Sequence, residues 1–541
     1  MPTEERAPDD GRRAILPRFV AAAVEMLAIV AAIASGHLVA GFLTPTSSPF
    51  FAVGDAVVRL SPRPVVEFAK SAFGTADKPV LLAGIGVLLL AAAVAGGLAA
   101  RRRPAPGTVL VVVLGVVGVA AVLGAPAVRP AGLAAPVVAL LVGVAVQRGL
   151  HRRAVEAAAD RPTGPPDDRD GPGEEDRDTA PVRRRTVLAG ASAAVAVGSL
   201  VAGGAGAALA SGRGLADSRA ALTRRLAAAR PSGPGPTVPA SATFPGPGTV
   251  PFVTPNADFY RIDVALQVPA VPAEDWSLRI HGRVARELTL TMDDLLARPL
   301  VERIITMTCV SNPIGGHLVS TAVFTGVELA PLLREAGVDP GADQIVSTSR
   351  DGWTAGTPTA TVLEPGRGAL LAVGMNGEAL PAEHGFPARM VVPGLYGYVS
   401  ATKWVTELEL TTFAERSAYW RDRGWAVRAP IKTQCRIDAP AGFARLAAGR
   451  VQVGGVAWAQ PVGVAAVEVR ADDGPWVPAE LATEVGPDTW RMWRAELDLG
   501  PGSHTLQARA TDRRGDTQTG QRADPVPDGA TGWPSVLVTV T

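Results

Sequence analysis

Cysteine is nearly absent from this chain, with two residues, Cys309 and Cys435, in 541. No zinc-type spacing of Cys and His occurs, and Gly315 and Gly316 lack the flanks of a phosphate loop or a dinucleotide fingerprint, so neither structural zinc nor nucleotide chemistry is indicated. Histidine is scarce too, at six residues, and only His37 and His151 precede residue 210. Net charge is close to nil at +1, which gives no reason to expect a nucleic-acid partner.

Long apolar runs, by contrast, dominate the first part of the chain. Segments at 19–43, 80–100, 107–123 and 132–146 precede a polar gap, and a fifth follows at 186–210. Each approaches the ~20 residues that cross a bilayer, although the third and fourth are short enough to form a re-entrant pair. Arg12, Arg13 and Arg18, then Arg101, Arg102 and Arg103, then Arg148, Arg152, Arg153, Arg183, Arg184 and Arg185 flank the runs. The positive-inside rule puts all three groups in the cytoplasm and delivers the chain after 210 to the other side. Arg184 and Arg185 before an Ala/Gly-rich run also fit a twin-arginine export signal, a route for folded, cofactor-loaded domains; ordinary flanking charge explains them equally well.

His37 lies toward the outer end of the first span and His151 just past the inner end of the fourth. One chain therefore cannot supply a bis-histidine haem site, no haem is expected, and the spans read as an anchor. Glu25 is costly to expose to lipid and should face other helices, in a structural or a functional role. Residues 155–182, dense in Asp, Glu, Arg, Gly and Pro, read as a disordered cytoplasmic loop. Residues 211–249 read as a linker: a short amphipathic surface helix, then a Pro/Gly/Ser-rich tether.

From residue 250 the pattern changes to short strands and helices. Alternation at 276–280 and 287–291 predicts strands, 292–297 a brief helix capped by Thr291, and 301–309 a strand. The glycines after Cys309 allow a tight turn, and 327–333 opens a helical pattern, so Cys309 should end a strand in a cleft. A thiolate there is a nucleophile or a soft metal ligand; an inert buried cysteine is the plain alternative. Mixed order of this kind suggests an α+β domain over 250–429. After 430, strand-like runs at 450–457, 464–470, 491–499, 502–511 and 536–541, separated by turn residues, suggest an immunoglobulin-like β-sandwich over 430–541, with Cys435 a lone buried thiol. The whole is a multi-domain chain: a transmembrane α-helical bundle over 1–210, the α+β domain and the sandwich.

Seven stretches in order, NADFYRIDVALQVP (256–269), WSLRIHGRV (276–284), TMTCVSNPIGG (306–316), FTGVELAPLL (324–333), DGWT (351–354), LLAVGMNGEALPAEHGFPARMVVPGLYGYVSATKW (370–404) and the C-terminal sandwich, carry a resemblance. The chain from 250 onward resembles the sulfite oxidase family of molybdenum–molybdopterin oxidoreductases, in a bacterial, membrane-anchored form. The resemblance implies that Cys309 is the protein's ligand to molybdenum, consistent with a thiolate's affinity for a soft metal. It implies that Arg261 draws oxyanion substrates, with His281 near the same rim, and that Trp353 stands where animal and plant members have a tyrosine. Asn256, Phe259, Tyr260, His384, Arg389, Ser400 and Lys403 match the cofactor-binding stretches.

The resemblance further implies a homodimer through the sandwich and a small-molecule substrate such as sulfite. With no haem domain in front of the molybdenum domain, a separate electron carrier is expected, approaching near Arg261 and His281. Trp353, and Phe324 in place of a tryptophan, leave room for an S-oxide or N-oxide reductase. A cofactor-free binding scaffold is the reading from another class, and it has no use for Cys309 together with His384, Arg389 and Lys403.

Overall fold

A computed structural model describes residues 15–541 except 44, 63–64, 66–67, 70–71, 74–75, 126–129, 160–178, 211–212, 230, 233–234 and 245–249. The chain divides into two compact units, residues 1–213 with 265–270, and residues 214–264 with 271–541.

The first unit is helical: α1 (Arg18–Leu43), α2 (Pro49–Leu60), α3 (Asp77–Ala99), α4 (Ala105–Leu123), α5 (Ala134–Ala159) and α6 (Thr179–Ala210). Among the described residues, five of its helical segments are long and apolar enough to cross a membrane. The third and fourth runs are not a short pair. At ~1.5 Å per residue, the 19 residues of α4 and 26 of α5 each approach or exceed a bilayer's apolar thickness, because α5 continues past its apolar run through Gln147, Leu150 and Ala154. The helix α2 was not anticipated, its apolar stretch being too short to stand out.

Small residues let these helices approach: a Cβ on Gly97 would run into the Ala21 carbonyl of α1. Glu25 is 1% exposed, close to Gln147 and Thr108, which hydrogen-bond each other at 2.8 Å. Helix ends occupy 155–159 and 179–182, where a loop was expected; the middle of that loop, and Arg12 and Arg13, lie outside the described residues.

The second unit opens with α7 (Arg213–Ala228), which is not a detached surface helix. Leu222 and Leu226 are buried in the main core, Arg219 donates to the Ala379 and Leu380 carbonyls, and the Ser218 hydroxyl bonds Glu274 at 2.6 Å. The expected tether is likewise fastened down. Ala242 is fully buried, Phe244 lies 4.4 Å from the Arg494 guanidinium, and Ser241 accepts a backbone bond from Thr483. Its Val and Phe side chains gain more from burial than the chain loses in freedom.

Then come β1 (Ser277–Gly282), β2 (Leu288–Thr291), α8 (Met292–Leu296), β3 (Val301–Thr308), β4 (Val319–Glu328), α9 (Leu329–Ala336), β5 (Gln344–Ser349), β6 (Thr354–Pro358), α10 (Thr359–Leu363), β7 (Leu370–Met375), β8 (Glu378–Ala379), β9 (Arg389–Val391), α11 (Gly397–Ser400) and β10 (Val405–Thr411). Thr291 caps α8 through a reciprocal bond with Asp294, an arrangement that contributes about 1 kcal/mol. One sheet runs β2-β1-β10-β5-β6, with β1 and β10 parallel; the other runs β3-β4-β7-β8, with β9 on β7. The mixture of parallel and antiparallel pairs, with short helices between strands, is the α+β pattern expected.

The remaining strands are β11 (Gln434–Ala439), β12 (Arg445–Leu446), β13 (Gly449–Trp458), β14 (Val464–Ala471), β15 (Val477–Pro478), β16 (Glu480–Leu481), β17 (Arg491–Leu499), β18 (Gly502–Asp512) and β19 (Ser535–Val540). They form two sheets, β11-β13-β17-β16 and β12-β19-β18-β14-β15, sharing a core that includes Val453, Trp493, Val467, Leu506 and Cys435. The sandwich also grips β3. Thr306 donates its N–H to Asp488 and accepts the Trp490 N–H on its hydroxyl at 2.7 Å, while Gln460 donates to the Thr306 carbonyl at 3.0 Å.

Candidate functional site

Cys309 follows the last residue of β3, as its sequence context predicts, and is half-buried. Its N–H bonds the Leu318 carbonyl, its carbonyl accepts the Asn312 N–H, and the Asn312 side chain takes the Leu318 N–H at 2.9 Å. This closes the loop between β3 and β4. Gly315 turns in it at φ +71°, in the left-handed region that favours glycine. Beside Cys309, the buried Thr308 hydroxyl has no hydrogen-bond partner among the described residues.

Two tyrosines share this site. Burial, then the nearby Cys309 charge, push the Tyr260 phenol well above its ordinary range, with Arg389 pulling the other way. Burial also pushes Tyr396 up to about 12, with a smaller contribution from Cys309. Tyr260 stacks on Phe259 at 5.4 Å, and Phe259 packs edge-on to Phe324 and His384. Phe259 is therefore a wall that orients its neighbours.

A basic cluster adjoins them. Arg389, on β9, is 4% exposed; it donates to the His384 carbonyl at 3.1 Å and the Ala401 carbonyl at 3.3 Å, and its Nε–H has no partner among the described residues. No carboxylate among the described residues pairs with it, and burial lowers it to about 10. Lys403 Nζ lies 3.0 Å from Asp263 and 3.0 Å from the Glu383 carbonyl, and burial lowers it to about 8. Gly385, at φ +112°, separates the two: a Cβ there would stand 3.1 Å from Arg389 Cβ and 3.2 Å from Lys403 Cα. A buried guanidinium with no carboxylate partner and one N–H unused among the described residues, next to Lys403, suits an anion of phosphate type.

His384 is lowered to about 4, by burial first and then by Arg389 and Lys403, so it is neutral near pH 7. Its Nε2 bonds the Asn256 carbonyl at 3.2 Å, which requires the proton on Nε2 and leaves Nδ1 a lone pair. The Ser400 hydroxyl bonds the Leu395 and Tyr396 carbonyls, both at 3.0 Å, so its one proton is already committed. Asn256 reaches the cluster only through that carbonyl, its side chain being bonded to Glu378 and Asn376 instead.

At the rim, Arg261 is nearly half exposed and donates to Asp263 at 2.9 Å, so one carboxylate holds both Arg261 and Lys403. Trp353 sits in the β5–β6 turn, its N–H bonded to Asp351. Burial raises Asp351 above the usual carboxylate range, with Asp263 adding to the shift and Lys403 opposing it, so this turn belongs to the same site. His281 lies on β1, opposite Glu409 in the parallel register with β10, and its Nε2 lies 2.6 Å from the Glu407 carboxylate. Sequence reasoning missed Asp263 and Asp351; an acid two residues after Arg261, and another two before Trp353, were the available signals.

Residues 265–420 match the family model described as the oxidoreductase molybdopterin binding domain. The chain is 28% identical over 316 residues to the mitochondrial sulfite oxidase of Drosophila melanogaster, covering 48% of this chain and 54% of that protein. An NADH nitrate reductase of Oryza sativa subsp. japonica is 32% identical over 198 residues, covering 31% and 21%. The uncharacterized oxidoreductase YuiH of Bacillus subtilis is 32% identical over 153 residues, covering 28% of this chain and 73% of YuiH. The chain thus spans about half the length of the sulfite oxidases it matches. The matched segment holds Cys309, His384, Arg389 and Lys403 on one α+β frame, and the chain belongs to the sulfite oxidase family of molybdopterin-dependent oxidoreductases.

Proposed function

We propose that the chain is a membrane-anchored, extracytoplasmic oxidoreductase that transfers an oxygen atom and two electrons to or from a small oxyanion such as sulfite. The observation that carries this reading is the buried Arg389, unpaired by any carboxylate among the described residues and with an unused Nε–H, beside Lys403 and the strand end at Cys309. When bound, a molybdenum–pyranopterin supplies the redox chemistry. Arg389 and Lys403 would hold its phosphate and Cys309 would ligate the metal. Tyr260, protonated at every working pH, keeps a donor near Cys309. Arg261 steers anions at the rim, and Trp353 walls it. The arginine-flanked helices of the first unit support anchoring with the catalytic unit outside. The sandwich, in an immunoglobulin-like role, would pair two copies.

Metal analysis tests the reading: about one molybdenum per purified chain is expected, and Cys309→Ser should abolish turnover while leaving the circular dichroism unchanged. Wild-type turnover in Cys309→Ser would overturn it. A reductase acting on a neutral S-oxide or N-oxide is the second reading, favoured by Asp263, whose carboxylate offsets the positive charge of Arg261 and Lys403 at the rim.

A further inference from the structure

The helix α7 precedes residues 265–420, the segment matched to the molybdopterin binding domain, yet a continuous series of hydrogen bonds joins it to the basic cluster. The series starts at Arg219. Besides the Ala379 and Leu380 carbonyls, its guanidinium reaches the Glu378 carboxylate, with Nη2 2.8 Å from Oε1. The same Oε1 accepts the Asn256 amide Nδ2–H at 2.6 Å. The Asn256 carbonyl in turn accepts the His384 Nε2–H at 3.2 Å, and the His384 carbonyl accepts Arg389 at 3.1 Å. A half-buried residue on α7 is thus linked, bond by bond, to the buried cation of the site.

Asn256 is also held from its other side. Asn376 occupies the turn between β7 and β8 at φ +52°, in the left-handed region that asparagine tolerates, and Gly377 follows it at +85°. From that turn the Asn376 amide donates to Asn256 Oδ1 and to the Thr254 carbonyl, both at 2.9 Å, while its own oxygen accepts the Val323 N–H at 2.9 Å. The Asn256 side chain therefore accepts at one end and donates at the other, which fixes the direction of its backbone carbonyl. That carbonyl selects the tautomer of His384. Arg389 and Lys403 disfavour an imidazolium, but it is the bond to Asn256 that keeps the single ring proton on Nε2 and leaves Nδ1 an acceptor. Packing of α7 alone is served by the buried Leu222 and Leu226, and by Thr223, whose hydroxyl accepts the Ala379 N–H at 3.0 Å.

We propose that Arg219 is a positioning residue of the cofactor site: through Glu378 and Asn256 it holds the His384 ring in the tautomer whose Nδ1 accepts a hydrogen bond from the bound cofactor. The proposal rests on the cofactor reading above. It makes α7 a working part of the cofactor-holding unit rather than a spacer between the last apolar helix and the first strand. Arg219 and Glu378 are each about one-third exposed or more, so their ion pair is screened by solvent. The relay therefore stiffens the site, and its loss should weaken cofactor retention several-fold without abolishing it.

The test uses the full chain in detergent and two readouts. The first is the rate at which molybdenum leaves the loaded chain during incubation and desalting. Arg219→Ala and Glu378→Ala should each release it at least about threefold faster than the wild type. Thr223→Val, which loosens α7 outside the relay, should release it at the wild-type rate, and melting curves show that all three variants fold. The second readout is the His384 tautomer in the cofactor-free chain, seen by nitrogen-15 NMR of histidine-labelled protein and assigned by its loss in His384→Gln. The wild type should show the proton on Nε2 alone, and Arg219→Ala a mixture of both tautomers. Faster release with the tautomer unchanged, equal acceleration by Thr223→Val, or wild-type release in Arg219→Ala would each overturn the proposal. Absence of molybdenum from the wild-type chain would instead refute the cofactor reading, and an unchanged tautomer in Arg219→Ala would still overturn the relay on its own.

Discussion

Each unit of this protein buries a charge-bearing side chain without a counter-charge, and the two surroundings differ. In the helical unit, Glu25 is buried with no cation beside it among the described residues; the Gln147 amide beside its carboxylate is neutral and bonded in turn to Thr108. In the other unit, Arg389 has a second cation, Lys403, and a rim arginine nearby, with its own Nε–H unused. Helices that pack against Glu25 ask for no ion. Arg389, the cation of this cluster that Asp263 does not reach, costs stability until an anion arrives. An orphaned polar atom indicates a ligand only when its neighbours share its sign.

The largest break in that comparison is Arg389→Leu. The cofactor-free chain should become more stable by about 1–4 kcal/mol, because the unpaired buried charge is gone, while cofactor retention is lost. Thermal unfolding of the cofactor-free chain, with molybdenum analysis of the loaded one, checks both halves. Destabilisation of the cofactor-free variant would show that the cation is already balanced.

Asp488, in the connection that grips β3, is an intermediate case: one of its oxygens is orphaned, although Arg367 and Arg303 lie near enough to lower it. Burial wins and pushes it up to about 6. A proton is thus held more tightly in the folded chain than in the unfolded one, so the group favours folding below about pH 4 and that contribution is lost as pH rises through 6. Asp488→Asn should remove this dependence and raise stability above pH 6 by up to roughly 3 kcal/mol. Melting temperatures of both chains between pH 4 and 8 measure it, and parallel curves would refute it. The smallest effect is expected for Glu25→Gln, which preserves shape among neutral neighbours: a stability change under about 1 kcal/mol in detergent.

The strand leading to Cys309, the glycine turn after it, the Thr291 cap and the sandwich strands β13, β14, β17, β18 and β19 were legible, because each is written in local alternation or in a turn residue. The cluster was half legible. Arg389, Lys403 and His384 lie in one continuous motif, but that Asp263 would hold Arg261 and Lys403 together depends on chain separated by 140 positions. The partner of His281 was illegible for the same reason: its 2.6 Å bond to Glu407 depends on β1 lying beside β10, 126 positions away. The strap at 235–244 looked like a tether because composition reports solubility, not the groove into which Ala242 and Phe244 fit.

The clamp on Thr306 bears on how this protein is made. The group that caps its hydroxyl, the Trp490 N–H, stands 184 positions further along the chain. During synthesis, Thr306 gains this partner only after the β16–β17 connection has left the ribosome, long after β4 is available to pair with the strand that ends at Cys309. The last restraint on the proposed metal-binding end therefore comes from a distant segment, which leaves an interval for loading a bulky prosthetic group.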